Sequence, residues 1–173
     1  MVNDASDATG APQAFDSLVG GLDYPMFVVT TVDPSRGGEP DGCLVGFATP
    51  CSIDPPRFIA CISNKNRTYR ALQSAAAMAV HLVPETAGHI VELFGGETGD
   101  ATDKFDRCEW RPGPDGLPLL SDCPSWFAGR ILERHALGDH VGHVLEPYAG
   151  EDRGNADFYP FSRAKRIDPG HEA

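Results

Sequence analysis

Short runs of apolar and β-branched residues, each closed by turn residues, set out the expected strands. Met26 to Val32 reads MFVVTTV and predicts the first. Asp33-Pro34 through Gly42 is rich in turn residues and ends in Asp-Gly, after which Cys43 to Ala48 returns as the second strand of a hairpin. Phe58 to Ile62, Met78 to Val83, about Trp126 to Arg134, and His140 to Pro147 bring the expected total to six.

Between these runs the apolar spacing changes to three and four residues. Ala14 to Leu22 predicts a short helix ended by Gly20-Gly21. From Thr68 to Ala77, residues Tyr69, Leu72 and Ala76 share one face, and Asn66 or Thr68 can cap the start. Pro84 and Glu85 open another helix, where Ala87, Ile90, Val91 and Phe94 hold the period until Gly95-Gly96. Residues 97–124 read as loop, and the tail holds a short DFYPF. The pattern predicts an α+β, mainly β fold: an antiparallel barrel with short flanking helices. One domain is expected over 14–165, after a disordered leader at 1–13 and before a flexible tail at 166–173. There is no internal repeat and no second domain.

Charge narrows the partners. The chain holds 14 Lys plus Arg against 25 Asp plus Glu, a net charge of −11. Nucleic acid and anionic membrane both need a basic footprint, so neither is expected. No apolar stretch approaches the roughly 20 residues of a membrane span. Five cysteines without a CxxC pair argue against a disulfide framework. Cys43, Cys51 and Cys61 lie in apolar, strand-like runs as small hydrophobes, and a cytoplasmic location follows from that usage.

Against this acidic background, residues 61–68 (CISNKNRT) gather two cations and several neutral donors where an apolar strand meets a helix start. Free amides and a helix dipole suit an anion there, so Lys65 and Arg67, with Ser63, Asn64, Asn66 and Thr68, form a candidate cradle for a phosphate monoester. A capped helix with solvated side chains accounts for the spacing equally well. What favours a site is that scarce cations fall where the backbone already offers donors. Further on, Gly138, Asp139 and His140 form a turn in which the carboxylate can orient the imidazole. Taken alone, a surface turn before an edge strand explains it better. His140 and His143 fall on opposite faces of a strand, and no ligand set for a metal accompanies them. The chain has no P-loop, no G-x-S-x-G elbow, no G-x-G-x-x-G fingerprint, and no basic neighbour to activate a cysteine.

In order, VVTTVD, DGCLVGFATPCSIDPPRF, NKNRTYRAL, DKF at 103–105, GLPLL at 116–120 and GDH at 138–140 resemble the flavin reductase-like family, the short-chain NAD(P)H:flavin oxidoreductases. The match runs from about Tyr24 to Pro147. The resemblance implies a six-stranded antiparallel FMN-binding split barrel acting as a homodimer. It places Leu44, Val45, Gly46, Phe47, Ala48 and Thr49 beside a flavin ring. It places Cys61, Ser63, Asn64, Lys65, Asn66, Arg67 and Thr68 along ribityl and phosphate, and Gly138, Asp139 and His140 near the nicotinamide. The activity implied is hydride transfer from NADH or NADPH to FMN or FAD, with reduced flavin passed to a partner monooxygenase. Many relatives carry Thr, Asn and Ser in the first flavin segment, where this chain has Leu44, Gly46 and Phe47. That departure leaves open a deazaflavin or a loosely held, exchangeable flavin; the competing functions are an FMN-holding electron carrier without NAD(P)H turnover and a deazaflavin-dependent reductase.

Overall fold

The computed structural model describes residues 10–154 and 157–170. Its strands are β1 (Phe27–Asp33), β2 (Glu39–Val45), β3 (Ala48–Ser52), β4 (Arg57–Ser63), β5 (Ala77–Leu82), β6 (Trp110–Pro112), β7 (Pro118–Leu120), β8 (Trp126–Ala136) and β9 (His140–Glu151). The helices are α1 (Ala11–Gly20), α2 (Arg67–Leu72), α3 (Gly88–Gly96) and α4 (Phe161–Ala164). Most of the expected leader lies outside the described residues, and α1 begins within its last part.

A mainly β fold with few short helices is what the pattern predicts, but the expected count of six strands needs correction. The main sheet has seven, all antiparallel, in the order β2-β1-β5-β8-β9-β4-β3, and β6 and β7 pair separately. The extra strand arises because the run expected as one strand over 43–48 is broken at Gly46-Phe47, which divides it between β2 and β3. These two strands occupy opposite ends of the sheet order, yet only Gly46 and Phe47 join them. Three Cα steps of about 3.8 Å span about 11 Å at most, so the end of β2 and the start of β3 lie close together. The sheet therefore curls, and its inner face closes over one core. Val29, Cys43, Phe58, Ile62, Met78 and Leu145, from five strands, pack together there.

The alternating burial of β4 shows the inner and outer faces directly, with Phe58, Ala60 and Ile62 buried. On the outside, α3 sets Ile90, Val91 and Phe94 against Met26 and Val28 in a second cluster. This helix starts at Gly88, later than the expected Pro84; Pro84 instead forms a bridge with Phe158. Helix α2 ends at Leu72, not Ala77, since Ala77 already begins β5. The 97–124 segment contains two single 3₁₀ turns and the β6–β7 hairpin, which loop-like composition had concealed. His81 ties this hairpin to the sheet. Its Nδ1 donates to the Val28 carbonyl (3.1 Å), and its Nε2 accepts from the Leu120 amide (3.3 Å). Cys51, expected in apolar surroundings, is exposed on the outer strand β3. Among the described residues no helix is long and apolar enough to cross a membrane.

Candidate functional site

The seam between the end of β2 and β4 opens into a cavity of about 290 Å³. One wall is the end of β2 and its continuation, Cys43 to Phe47; the opposite wall is Cys61, Ile62, Ser63 and Asn66. Gly95 of α3, Tyr24, Met26, Phe161 and Pro169 close further sides, and His140 stands at the rim. Of the residues singled out from the sequence, Leu44, Val45, Gly46, Phe47, Cys61, Ser63, Asn66 and His140 line this space. Ala48, Thr49, Asn64, Lys65, Arg67, Thr68, Gly138 and Asp139 are not part of its lining.

Local chemistry explains the walls. Only one side of β2 pairs within the sheet, so a row of its backbone groups is left at the edge. Gly46 lets the chain pass close to Tyr24: a Cβ there would lie 3.0 Å from the Tyr24 ring, tight enough that the ring would have to shift. Across the cavity, the turn after β4 is hydrogen-bonded throughout. The Asn66 amide donates to the Ser63 carbonyl (3.0 Å), and the Asn66 side chain caps α2 by accepting from the Thr68 amide (3.0 Å). The Asn64 amide donates to the Asp139 carbonyl (2.9 Å), which fastens this turn to the tip of the β8–β9 hairpin.

At that tip Gly138 has a φ of 105°, a left-handed conformation that suits glycine and allows the reversal. The expected pair is formed: His140 Nδ1 lies 2.9 Å from Asp139 Oδ1. The hydrogen bond from His140, and then its charge, hold the Asp139 carboxyl below its ordinary range, with a smaller pull from Lys65. Phe47 stands 5.3 Å from the His140 ring and 6.4 Å from Tyr24, and Tyr24 stacks on Phe161 at 4.7 Å. An aromatic border thus surrounds the opening. Burial pushes the Cys43 thiol up to about 11 and raises Cys61 as well, so neither supplies a thiolate near neutrality.

Arg67 and Thr68 are engaged away from the cavity. The Thr68 hydroxyl donates to Asp41 Oδ1 (2.7 Å), and Arg67 Nη1 lies 3.1 Å from Asp41 Oδ2. Asp41 and Thr68 are 3% and 1% exposed. Burial raises the Asp41 carboxyl, opposed by the Thr68 hydroxyl and then by Arg67. Nearby, the buried Lys104 of the DKF segment donates to the carbonyls of Gly42 (3.4 Å) and Phe94 (3.2 Å).

Sequence reasoning missed Tyr24, Met26, Cys43, Ile62, Gly95, Phe161 and Pro169. The signal for two of them was the pair of aromatic–proline segments, Tyr24-Pro25 and Tyr159-Pro160-Phe161, which meet in an isolated bridge. Their pairing links distant parts of the chain, and nothing local announces it. Among the described residues no group of three or more His, Cys, Asp or Glu is placed to hold a metal ion.

The arrangement offers a slot with apolar walls, backbone groups along one edge, a polar turn at one end and an imidazole at the mouth. That chemistry fits a planar heteroaromatic ring bearing an anionic chain. Comparison with known proteins identifies the family. The model of the flavin reductase like domain matches residues 19–165. A probable flavin reductase of Rhizobium meliloti (strain 1021) is 31% identical over 143 residues, which cover 83% of this chain and 44% of that protein. The chain thus spans under half of that relative's length. An FMN reductase (NADH) RutF of Methylorubrum extorquens (strain DM4) is 35% identical over 160 residues, covering 89% and 74%. The structure of the Streptomyces globisporus NADH:FAD oxidoreductase SgcE6 superposes with a TM-score of 0.76 at 20% identity, covering 87% of each chain.

Proposed function

The chain belongs to the flavin reductase-like family, and on that membership and the seam cavity together we propose that it is an NAD(P)H-dependent flavin reductase. The observation that carries the reading is the meeting of segments 43–47 and 61–66 across one cavity with His140 at its mouth. The curled sheet with its open seam is, in this proposal, an FMN-binding split barrel.

A bound flavin supplies the redox chemistry, accepting the hydride that a nicotinamide donates. The protein supplies shape and fixed dipoles. The Leu44–Phe47 wall excludes water from one side of the slot, and the edge amides of β2 offer donors where negative charge grows on a reduced ring. Ala48 and Thr49 continue this wall outside the slot. Ser63, Asn64, Lys65 and Asn66 serve the phosphate end, where the turn and its cation lie together. Asp139 holds Nδ1 of His140, which leaves Nε2 to meet the nicotinamide. No residue is assigned as a general acid.

FMN or FAD, and NADH or NADPH, remain within the proposal; the NADH:FMN pairing is favoured by the name of the RutF relative. The exposed rim residue Phe47 makes the site accessible for exchange, in keeping with delivery of reduced flavin to a partner monooxygenase. Five free cysteines are in keeping with a cytoplasmic setting. A homodimer is part of the proposal, since α1 leaves Phe15 and Leu18 exposed on a helix with no buried residue.

Oxidation of NADH and NADPH is to be followed with FMN, FAD, riboflavin and a deazaflavin in turn. The expected outcome is turnover that requires both a nicotinamide and a flavin. His140→Ala is expected to slow it on the order of 10- to 100-fold while flavin affinity is kept. A tightly yellow protein that oxidises neither nicotinamide shows an electron carrier instead. Turnover confined to the deazaflavin shows the third member of the set.

A further inference from the structure

The two walls of the cavity meet at a buried carboxylate. Asp41 lies in β2, just before the Cys43–Phe47 wall; Thr68 and Arg67 lie just after the Ser63–Asn66 turn that forms the other. Asp41 takes the Thr68 hydroxyl on one oxygen at 2.7 Å and faces Arg67 on the other at 3.1 Å. That second oxygen is buried, has no partner aligned as a hydrogen bond, and faces the Arg67 charge. Burying a carboxylate is costly unless it is paired and hydrogen-bonded, and a well-packed apolar group in its place often stabilises a protein as well or better. The cluster is therefore poorly explained as a source of stability. It is well explained as a spacer.

We propose that Asp41 is a positioning residue of the cofactor site: its carboxylate, gripped by Thr68 and Arg67, sets the gap between the β2 wall and the Ser63–Asn66 turn. In this arrangement Arg67 serves the carboxylate and not the anionic end of the ligand. Asn66 transmits the constraint, because it lines the cavity and its side chain also accepts from the Thr68 amide. Lys104 extends the bracing to the third side. It joins the carbonyl of Gly42, next to Asp41, to that of Phe94, next to the cavity-lining Gly95. The inference rests on the flavin reading of the cavity.

Dissociation constants for FMN and for riboflavin, which lacks the phosphate, are to be measured on the wild type, Asp41→Asn, Arg67→Met and the double variant. A positioning role predicts that each single change weakens both flavins alike, by about tenfold, and that the double variant is no worse than either. If Arg67 is a phosphate ligand restrained by Asp41, the signs separate. Arg67→Met then weakens FMN while sparing riboflavin, Asp41→Asn tightens FMN, and the proposal is overturned. Variants that lower the unfolding temperature but keep both dissociation constants overturn it too, because they show a purely structural cluster. Should Asp41→Asn not fold, Thr68 carries the same test. Thr68→Val is expected to loosen both flavins about tenfold and Thr68→Ser to restore them to within about threefold; wild-type binding by Thr68→Val overturns the proposal. A wild type that binds neither flavin removes the flavin reading itself, before any variant is compared, and this inference falls with it.

Discussion

Burial pushes the His81 imidazole down to about 4, opposed by its hydrogen bond to the Val28 carbonyl, and the Leu120 amide donating to Nε2 requires the neutral ring with its proton on Nδ1. The unfolded chain takes up this proton at an ordinary pKa of about 6.5. Stability conferred by the neutral ring is therefore complete above about pH 6.5 and is lost as pH falls toward 4, where the folded ring titrates. The loss amounts to about 3 kcal/mol over that interval. Urea unfolding between pH 7 and pH 5 should show the wild type weakening with acid, and His81→Gln should lack that part of the slope. At this scale the sequence was partly legible. Adjacency alone suggested the Asp139–His140 pair, and the structure forms it. The cations at 65 and 67 stood out just as clearly, but a local pattern could not reveal that Asp41, from another strand, already engages Arg67.

Helix α2 is too short to persist on its own, and its ends explain its survival. Asn66 caps the start. At the other end Arg134 of β8 donates to the carbonyl of Leu72 (2.9 Å), an acceptor that the last turn leaves open, and to that of Ala75 (2.6 Å) just beyond the helix. Arg134→Met should cost about 2 kcal/mol, read as a lower urea midpoint, with Arg134→Lys recovering part. Most element types were visible in the periodicity, while their ends were not. The pattern carried α2 on to Ala77, because small apolar residues continue its spacing into β5, where strand pairing overrides helix propensity. The β6–β7 hairpin escaped because Pro112, Pro114 and Pro118 make its short strands read as loop.

For the molecule as a whole, the antiparallel mainly β class was legible because strands recur with turn residues between them. The strand count was not, since the break at Gly46-Phe47 is concealed within a continuous apolar run. Long-range closure was hidden as well. The Tyr24 carbonyl accepts from the Phe161 amide at 2.9 Å, and no periodic signal connects positions so far apart.

That break has a thermodynamic corollary. In the proposed complex, a ring seated against the free edge of β2 would play the part of a missing neighbour, giving its orphaned peptide groups something to hold. Occupancy and fraying should then oppose each other: at a ligand concentration a hundred times its dissociation constant, about 2.7 kcal/mol is added to the folded state. Deuterium uptake, measured with and without saturating FMN, should slow first at Leu44–Phe47, and much less at β5 and β8, which neighbours already flank on both sides.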